Sequence, residues 1–465
     1  MSNLGPQQQN QSFSGLLQIP GGVTRELQQV QDGEGNPTGL WLSTGGSSAA
    51  TSNTFVASED GVAIPDAVVR RISDGFGDYI SVKDFGAVGD GATDDTVAIQ
   101  NAINSIIGVS GQTIFFPPGT YKITSAITIT QGVGFVIKGA RGSSVLKQAT
   151  SNTPIFKFTS SDTHSFLIDG IQFTYSSAQA YANTNSNAIE FSGSATQFYN
   201  FTISECTFSN GRRAITATGT AVVWGYVIEK CVFGGTMSGA SVAFPTSVGQ
   251  PNVNIRNCYI AHNSNTNESD IILVSAETVL LENIEFNNGT YATGVLAMSL
   301  TSCQAIAVIS CKIENAVWTG ATLFGFVSCT SVNVIGCNFI TISGTRTGTP
   351  AIILGNSGTS MSVVGCNFSL TGTTSFPAVA SVFSLFSNSN YTGSITTDWV
   401  GYGLSTPVIQ SNTGVTSYTR GIGLDNCFVK PYDALPLTAV TGQLAFKNAD
   451  GKGYMYDGST WQALW

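Results

Sequence analysis

The sequence predicts an all-β chain wound as a right-handed parallel β-helix. This is a solenoid of about ten coils, with an N-terminal capping helix and a small C-terminal β-hairpin module. The first observation behind this is a phrase that recurs through the middle of the chain. It reads Phe201-Thr-Ile203-Ser-Glu-Cys206-Thr-Phe208, then Tyr226-Val-Ile228-Glu-Lys-Cys231-Val-Phe233, then Val253-Asn-Ile255-Arg-Asn-Cys258-Tyr-Ile260. With the cysteine as position 0, its equivalents are Ile171, Cys206, Cys231, Cys258, Ile284, Cys311, Cys337, Cys366 and Cys427, at steps of 35, 25, 27, 26, 27, 26, 29 and 61 residues. A sustained period of this size is the mark of a stacked repeat. The last step is about two periods, which implies one degenerate or looped-out coil.

The second observation is the pattern inside the phrase. Positions −5, −3, 0 and +2 are apolar in nearly every copy, position −5 being Phe166, Phe201, Tyr226, Val253, Val279, Ile306, Val332, Met361 and Ile422. Alternation from −5 to −3, and again from 0 to +2, is that of strands with one buried face. The odd step from −3 to 0 needs a corner at −2 and −1 if both sides are to face inward. Asn257, Asn283, Asn426, Gly336 and Gly365 stand there, residue types that tolerate a left-handed backbone. Each copy therefore reads strand, corner, strand, and stacking makes parallel sheets with right-handed crossovers.

The third observation is composition. Only 10% of the 465 residues are charged, and 52 are glycine, which suits β-structure with many corners. A net charge of −9 without a basic patch argues against nucleic-acid binding. The polar start Met1-Ser-Asn-Leu-Gly-Pro is not a signal peptide, and no apolar run is long enough for a membrane helix.

A further strand precedes each phrase by 12 to 17 residues, as in Ala188–Phe191, Ala214–Ala217, Ser241–Phe244, Ile271–Val274, Thr322–Phe326 and Ala351–Leu354, and makes the coil three-sided. Its early copies alternate, with Glu190 and Thr216 expected to face out. Its later copies are apolar on both faces. The rows at Ile271, Leu273, Ile352 and Leu354 are expected to face outward against a neighbouring subunit, a strand apolar on both faces being normally covered on both. The partner expected there is a second and third copy of the chain, a homotrimer.

Nine cysteines raise disulfide and metal readings. Cys206, Cys231, Cys258, Cys311, Cys337 and Cys366 share one phase, so they are expected to form a core ladder of small buried hydrophobes. No zinc-type Cys/His spacing occurs, and no metal or cofactor is expected.

Taken in order, residues 1–78 form an arm and neck. Residues 1–50 are polar and sparsely charged, too poor in apolar side chains to bury a core. They are read as docking onto a partner or as a partly disordered tail. Val23–Val30 is a short amphipathic stretch, and Ala67–Ile72 reads as a short helix. Residues 79–430 form the β-helix, opened by a capping segment over 79–125. Gly86, Gly89 and Gly91 make a tight loop beside Asp84 and Asp90, Thr93 is the expected helix N-cap, and Asp94 and Asp95 fall in the first helical turn. Ala98, Ile99, Ala102, Ile103 and Ile106 form the apolar face of that helix. A strand at Thr113–Phe116 and a turn through Pro117-Pro118-Gly119-Thr-Tyr121 follow. Residues 431–465 read as two hairpins turning at Asp450-Gly451 and Asp457-Gly458, with Tyr454, Tyr456 and Trp461 as paired aromatics that either contact sugar or close a trimer tip.

The stretch Asp84-Phe-Gly86-Ala-Val-Gly89-Asp90-Gly91-Ala-Thr-Asp94-Asp95-Thr-Val-Ala-Ile-Gln100, followed by Phe116-Pro117-Pro118-Gly119-Thr-Tyr121, closely resembles the opening of the pectate-lyase-like superfamily of right-handed β-helices. The resemblance covers about residues 80–125 and implies that the helix caps the N-terminal end of the solenoid. Openings of this kind are frequent in bacteriophage tailspikes and tail fibres. The C-terminal Tyr454-Met-Tyr456-Asp457-Gly458-Ser-Thr-Trp461 resembles a short module that ends many phage tail proteins. The resemblance implies a virion protein, assembled in the host cytoplasm. It would be attached to tail or adaptor proteins through its arm and contact host surface glycan.

The same superfamily holds lyases and hydrolases. A glycoside hydrolase needs two carboxylates flanking one bond. Glu190 is followed in its row by Thr216 and Ala243, which complete no pair. Asp169, Glu205, Glu229, Glu282 and Asp425 are spread along the corners. Glu282 and Glu285 are neighbours, with Lys312 one coil on, a pattern that a solvated ion pair also explains. The polygalacturonase-type signatures of the superfamily are absent, as is the acid cluster of a calcium-dependent lyase. His164 and His262 lack any nucleophile context and read as surface or corner residues. The sequence thus favours a non-catalytic receptor-binding fibre or tailspike. The alternatives are a polysaccharide depolymerase, with Glu190, Glu282 and Glu285 as catalytic candidates, and a purely structural head or collar fibre.

Overall fold

In the computed structural model the described residues run from 79 to 370, with breaks at 131, 160–161, 246–249, 262–266, 288, 293, 320–321, 345–351 and 357–358. Outside that span only short segments, nearly all of them strands, are described. The chain divides into a unit of residues 1–81 with 112–115 and a unit of residues 82–111 with 116–465. In the first unit Gln28–Gln31 pairs antiparallel with Pro37–Leu42, and Thr54–Phe55 with Arg70–Arg71. The helix expected over Ala67–Ile72 is therefore replaced at Arg70–Arg71 by a strand, where cross-strand pairing outweighs weak local helix propensity.

The second unit opens with the cap. Its helix is Thr96–Asn104, and Ile99, Ala102 and Ile103 are buried on the expected face. Thr93 is not the N-cap, because Asp90–Asp94 is a strand paired with Gly119–Ile123 and the helix begins after it. The N-cap position is Asp95. Its carboxylate turns back to accept from the Val88 and Gly89 amides at 2.6 and 3.1 Å, pinning the glycine loop. Asp90 accepts from the Thr93 and Ala92 amides, which lower its pKa, and Asp94 is lowered chiefly by the Thr124 hydroxyl. Gly89 has φ 71° and lies over the Tyr121 ring, which an added Cβ would meet at 2.9 Å.

From there the chain winds through three parallel ladders. The first holds Phe156–Phe158, the start of Asn187–Ser204, the start of Arg213–Glu229, and then Val242–Phe244, Ile271–Val274, Met298–Thr301 and Phe324–Val327. The second runs in register through Ile168, Ile203, Ile228, Ile255, Leu281, Val308, Val334 and Val363, all at position −3 and all buried. The third carries position +2, as Phe173, Phe208, Phe233, Ile260, Phe286, Ile313 and Phe339.

The corner at −1 is left-handed in each of these coils, whatever residue stands there: Gly170, Glu205, Lys230, Asn257, Asn283, Ser310, Gly336 and Gly365, with φ from 50° to 71°. A second left-handed row separates the first and second ladders at −6, through Ser165, Asn200, Gly225, Asn252, Thr278, Ala305 and Ser331. The six phase-sharing cysteines are buried with free thiols, and Cys303 and Cys329 are buried off that phase.

Two expectations are corrected and one is narrowed. Ile271 and Leu273 face the core, not outward, because Ile271 pairs in register with Met298, Phe324 and Ile353. The outward row of that ladder is Ile272, Ser299, Gly325 and Leu354, and Ile352 is buried at the bend before it. Glu190 and Thr216 lie on the strand face opposite Ile189 and Phe191, yet Glu190 is only 3% exposed and Thr216 is buried, so neither meets solvent. Finally, of the two readings of the long step after Cys366, the described strands favour degenerate coils over a looped-out one. Val363 pairs with Phe386 and Phe386 with Ile409, two short coils of 23 residues each. Cys427, Ile422, Asp425, Asn426 and His262 lie outside the described residues. At the C-terminus Leu444–Lys447, Lys452–Tyr456 and Trp461–Ala463 form the antiparallel meander the turn dipeptides imply.

Candidate functional site

The strands Asn187–Ser204 and Arg213–Glu229 are 18 and 17 residues long because they continue across the corner between the first two ladders. Their continuous pairing places Tyr199 against Trp224, and Thr163–His164 pairs with Phe198–Tyr199 on the other side. Three aromatic side chains consequently stack on one corner. His164 and Tyr199 are 4.6 Å apart at 20°, and Tyr199 and Trp224 are 4.3 Å apart at 1°. All three are half-buried. The Tyr199 hydroxyl is hydrogen-bonded to exposed Asp162, which raises its pKa above the ordinary phenol value. His164 is thus a corner residue, as expected. Tyr199 and Trp224 were not singled out in the sequence, although both fall at position −7 of their repeats.

Glu190 is the best placed of the candidate acids. Asn187 donates to it at 2.7 Å and the Thr218 hydroxyl at 3.3 Å, with Lys157 at 3.8 Å. Its in-register neighbours are Lys157 and Thr216, then Ala243 beyond, so no acid lies next to it in the row. A second buried group lies beside that row. Arg213 donates from Nε to Glu268 at 2.9 Å and from its other arm to Thr216 Oγ1 at 3.1 Å. Arg212 lies 3.7 Å from the same carboxylate and stacks over the Tyr181 ring at 4.6 Å. Glu268, Arg212 and Arg213 were missed because Glu268 lies 55 residues beyond Arg213 in sequence, a separation no local pattern encodes.

Glu282 and Glu285 do not form a pair on one face. Glu282 ends a second-ladder strand, Glu285 starts a third-ladder strand, and the left-handed Asn283 corner stands between them. Glu285 lies 3.7 Å from Lys312, which also binds Glu314, and both carboxylates raise the lysine pKa. The other corner acids are likewise in ion pairs: Asp169 with Arg141 at 3.3 Å, Glu205 with Lys230 at 3.6 Å, and Glu229 with Arg256 at 2.8 Å. In the C-terminal meander Tyr456 and Trp461 pair with ring centroids 5.5 Å apart, while Tyr454 stands opposite Ala463. Among the described residues no group of three or more His, Cys, Asp or Glu could hold a metal ion. No helix among them is long and apolar enough to cross a membrane.

A model of the right handed beta helix region matches residues 187–368, and one of rhamnogalacturonase A/epimerase, pectate lyase-like proteins matches residues 79–164. The chain is a right-handed parallel β-helix. One segment of the chain is similar to mannuronan C5-epimerase AlgE3 of Azotobacter vinelandii, 40% identical over 74 residues, covering 14% of this chain and 4% of that protein. The chain spans less than a tenth of the length of the curated relatives it matches. Among solved structures, the Streptococcus pneumoniae surface protein and adhesin PfbA matches with a TM-score of 0.45 at 15% identity, over 72% of this chain and 96% of that one. Tailspike protein 3 of bacteriophage CBA120 matches with a TM-score of 0.37 at 11% identity, over 86% and 71%.

Proposed function

We propose that the β-helix is a bacteriophage virion fibre or tailspike protein that holds on to the host cell surface without cutting it. In this reading it works as a homotrimer, anchored to tail or adaptor proteins through residues 1–78, and touches host glycan. The cap-motif resemblance and the sparsely charged arm support the virion assignment. The observation that carries the non-catalytic reading is that the nominated acids do not meet. Glu190 is sealed among Asn187, Thr218 and Lys157, and Glu282 and Glu285 sit on different ladders. A hydrolase needs two carboxyl groups within about 5–10 Å across one bond.

The surface offered to glycan is the His164–Tyr199–Trp224 stack, three half-buried amphipathic rings on one corner. One observation favours a depolymerase as second reading: the Arg213–Glu268 group sits beside the Glu190 row through Thr216. The test is to incubate the purified full chain with host envelope glycans and measure both cell binding and new reducing or unsaturated ends. Binding without release is expected. Release that disappears in Glu190→Gln or Glu268→Gln would establish the depolymerase instead.

A further inference from the structure

The Glu268 carboxylate is taken up by one of its two arginine neighbours. It accepts from Arg213 Nε at 2.9 Å, from Arg213 Nη2, and from the Ala240 amide at 3.2 Å. Arg212 is left over. Its contact with Glu268 Oε1 is 3.7 Å long, beyond hydrogen-bond range. Among the described residues its guanidinium donates no hydrogen bond, and its Nε is buried without an acceptor. The residue is only 8% exposed, and the half-buried Tyr181 ring lies over it at 4.6 Å. Beside it Ser238 donates its amide to the Gly211 carbonyl at 3.1 Å, and the Ser238 hydroxyl is likewise buried without a partner. Gly239 lets these groups close together, since a Cβ there would meet Glu268 Oε2 at 2.7 Å and Arg212 Cγ at 3.3 Å. Charge does not balance at this point. Two guanidiniums stand around one carboxylate, because Glu190 is paired with Lys157, and Asp270 accepts from the Tyr291 hydroxyl at 2.8 Å.

We propose that Arg212, with the Ser238 hydroxyl and beneath Tyr181, is a binding site for an oxyanion: a carboxylate, phosphate or sulfate group, free or carried on a sugar. A buried guanidinium without acceptors is strongly unfavourable, yet this one is held in place between Tyr181 and Glu268. Water satisfies its donors but leaves the excess positive charge. An oxyanion does both, and its oxygens match the planar fork of a guanidinium. The ring covers one face, so the ion meets the guanidinium at its edge. Arg213 opens the strand Arg213–Glu229, whereas Trp224 lies past its bend, so this site is separate from the aromatic corner and does not depend on glycan binding there.

The test uses the full chain and three probes: sodium phosphate, glucuronate and glucose. Phosphate is titrated by calorimetry at constant ionic strength, and the thermal unfolding midpoint is read in chloride and in phosphate. Phosphate is expected to bind at one site per chain and to raise the midpoint. In Arg212→Gln, binding is expected to weaken about tenfold or more, and the midpoint to stop responding. In chloride alone Arg212→Gln is expected to unfold no earlier than the wild type, because an uncompensated buried charge has been removed. A variant that unfolds earlier in chloride, with no phosphate response in the wild type, would make Arg212 a structural prop and overturn the site. An equal phosphate response in both chains would be a general salt effect and would also overturn it. Should Arg212→Gln fail to fold, Tyr181→Ala decides, at a half-exposed position. Loss of the cation–π contact is expected to weaken phosphate binding about two- to fivefold, and unchanged binding would overturn the site. Glucuronate separates the sources. Displacement of phosphate by glucuronate but not by glucose supports a group carried on a sugar, and phosphate binding that glucuronate leaves untouched supports a free ion.

Discussion

The two halves of the solenoid share one backbone and differ in what fills and covers it. Inside the early coils the ladders are aromatic. Phe166 stacks on Phe201 at 4.7 Å and 6°, Phe173 on Phe208 at 5.2 Å, and Phe208 on Phe233 at 5.1 Å. Inside the later coils position −5 turns aliphatic, as Val253, Val279, Ile306 and Val332, while position +2 alternates between aliphatic and aromatic, as Ile260, Phe286, Ile313 and Phe339. Outside, the early coils are laced with ion pairs and carry the aromatic corner stack, whereas the later coils present Ile, Val, Ser and Asn. The left-handed corner at −1 persists through both. The coil is thus held by its corner and by inward apolar positions of tolerant identity, and the outer face is free to differ by region.

The contrast can be broken most severely from within. Cys258→Asp is expected to abolish folding, because an unpaired buried charge costs several kcal/mol; a soluble variant with wild-type circular dichroism would show the phase of the ladder to be wrong. Phe208→Ala, in the aromatic half, is expected to lose about 3–5 kcal/mol in denaturant unfolding, because it leaves a large cavity within a stack. Cys337→Ala, in the small-residue half, is expected to lose only about 1 kcal/mol or slightly more.

Smaller effects sharpen the comparison. Trp224→Ala is expected to weaken cell or glycan binding by about tenfold or more with little change in melting temperature, if the stack is the contact surface; unchanged binding would move the contact off that corner. At the −1 corners, Gly336→Ala is expected to cost about 1–2 kcal/mol and Ser310→Gly to recover up to about 1, read as shifts of the unfolding midpoint.

A pH titration separates the halves in a different way. Tyr121 is pushed by burial to about 12, and burial also holds Tyr175 and Tyr226 above the ordinary phenol range. In the unfolded chain these groups lose their protons near pH 10, but in the folded chain they keep them. Their contribution to stability is therefore complete below pH 10 and is lost as pH rises through the folded pKa values. Alkaline unfolding with delayed phenolate absorbance at 295 nm is the expected observation. The smallest effect is expected for Glu285→Gln, within about 0–1 kcal/mol, since its pairing with Lys312 is exposed to solvent.

Sequence by itself determined the period, the inward positions and the −1 corner. These are local: alternation in two short strands and one residue with positive φ are written within the phrase itself, as at Ile203, Cys206 and Phe208 around Glu205. The capping motif is legible for the same reason, although the acids that suit a helix first turn here lie in or just after a strand, which moves the cap position from Thr93 to Asp95. Tertiary structure alone decided the rest. The inward side of Ile271 and Leu273 depends on pairing with Met298 and Leu300, and a one-residue slip inverts a strand's faces. The second left-handed row at −6 is only partly written in the sequence: Asn200, Gly225 and Asn252 suit it, whereas Thr278 and Ala305 carry no turn signature and are held there by the coils around them. The sealing of Glu190, the joining of Arg213 to Glu268 and the stacking of Tyr199 on Trp224 all bring together residues a coil or more apart. Such contacts are set by how one coil lands on another, which no stretch of the chain states alone.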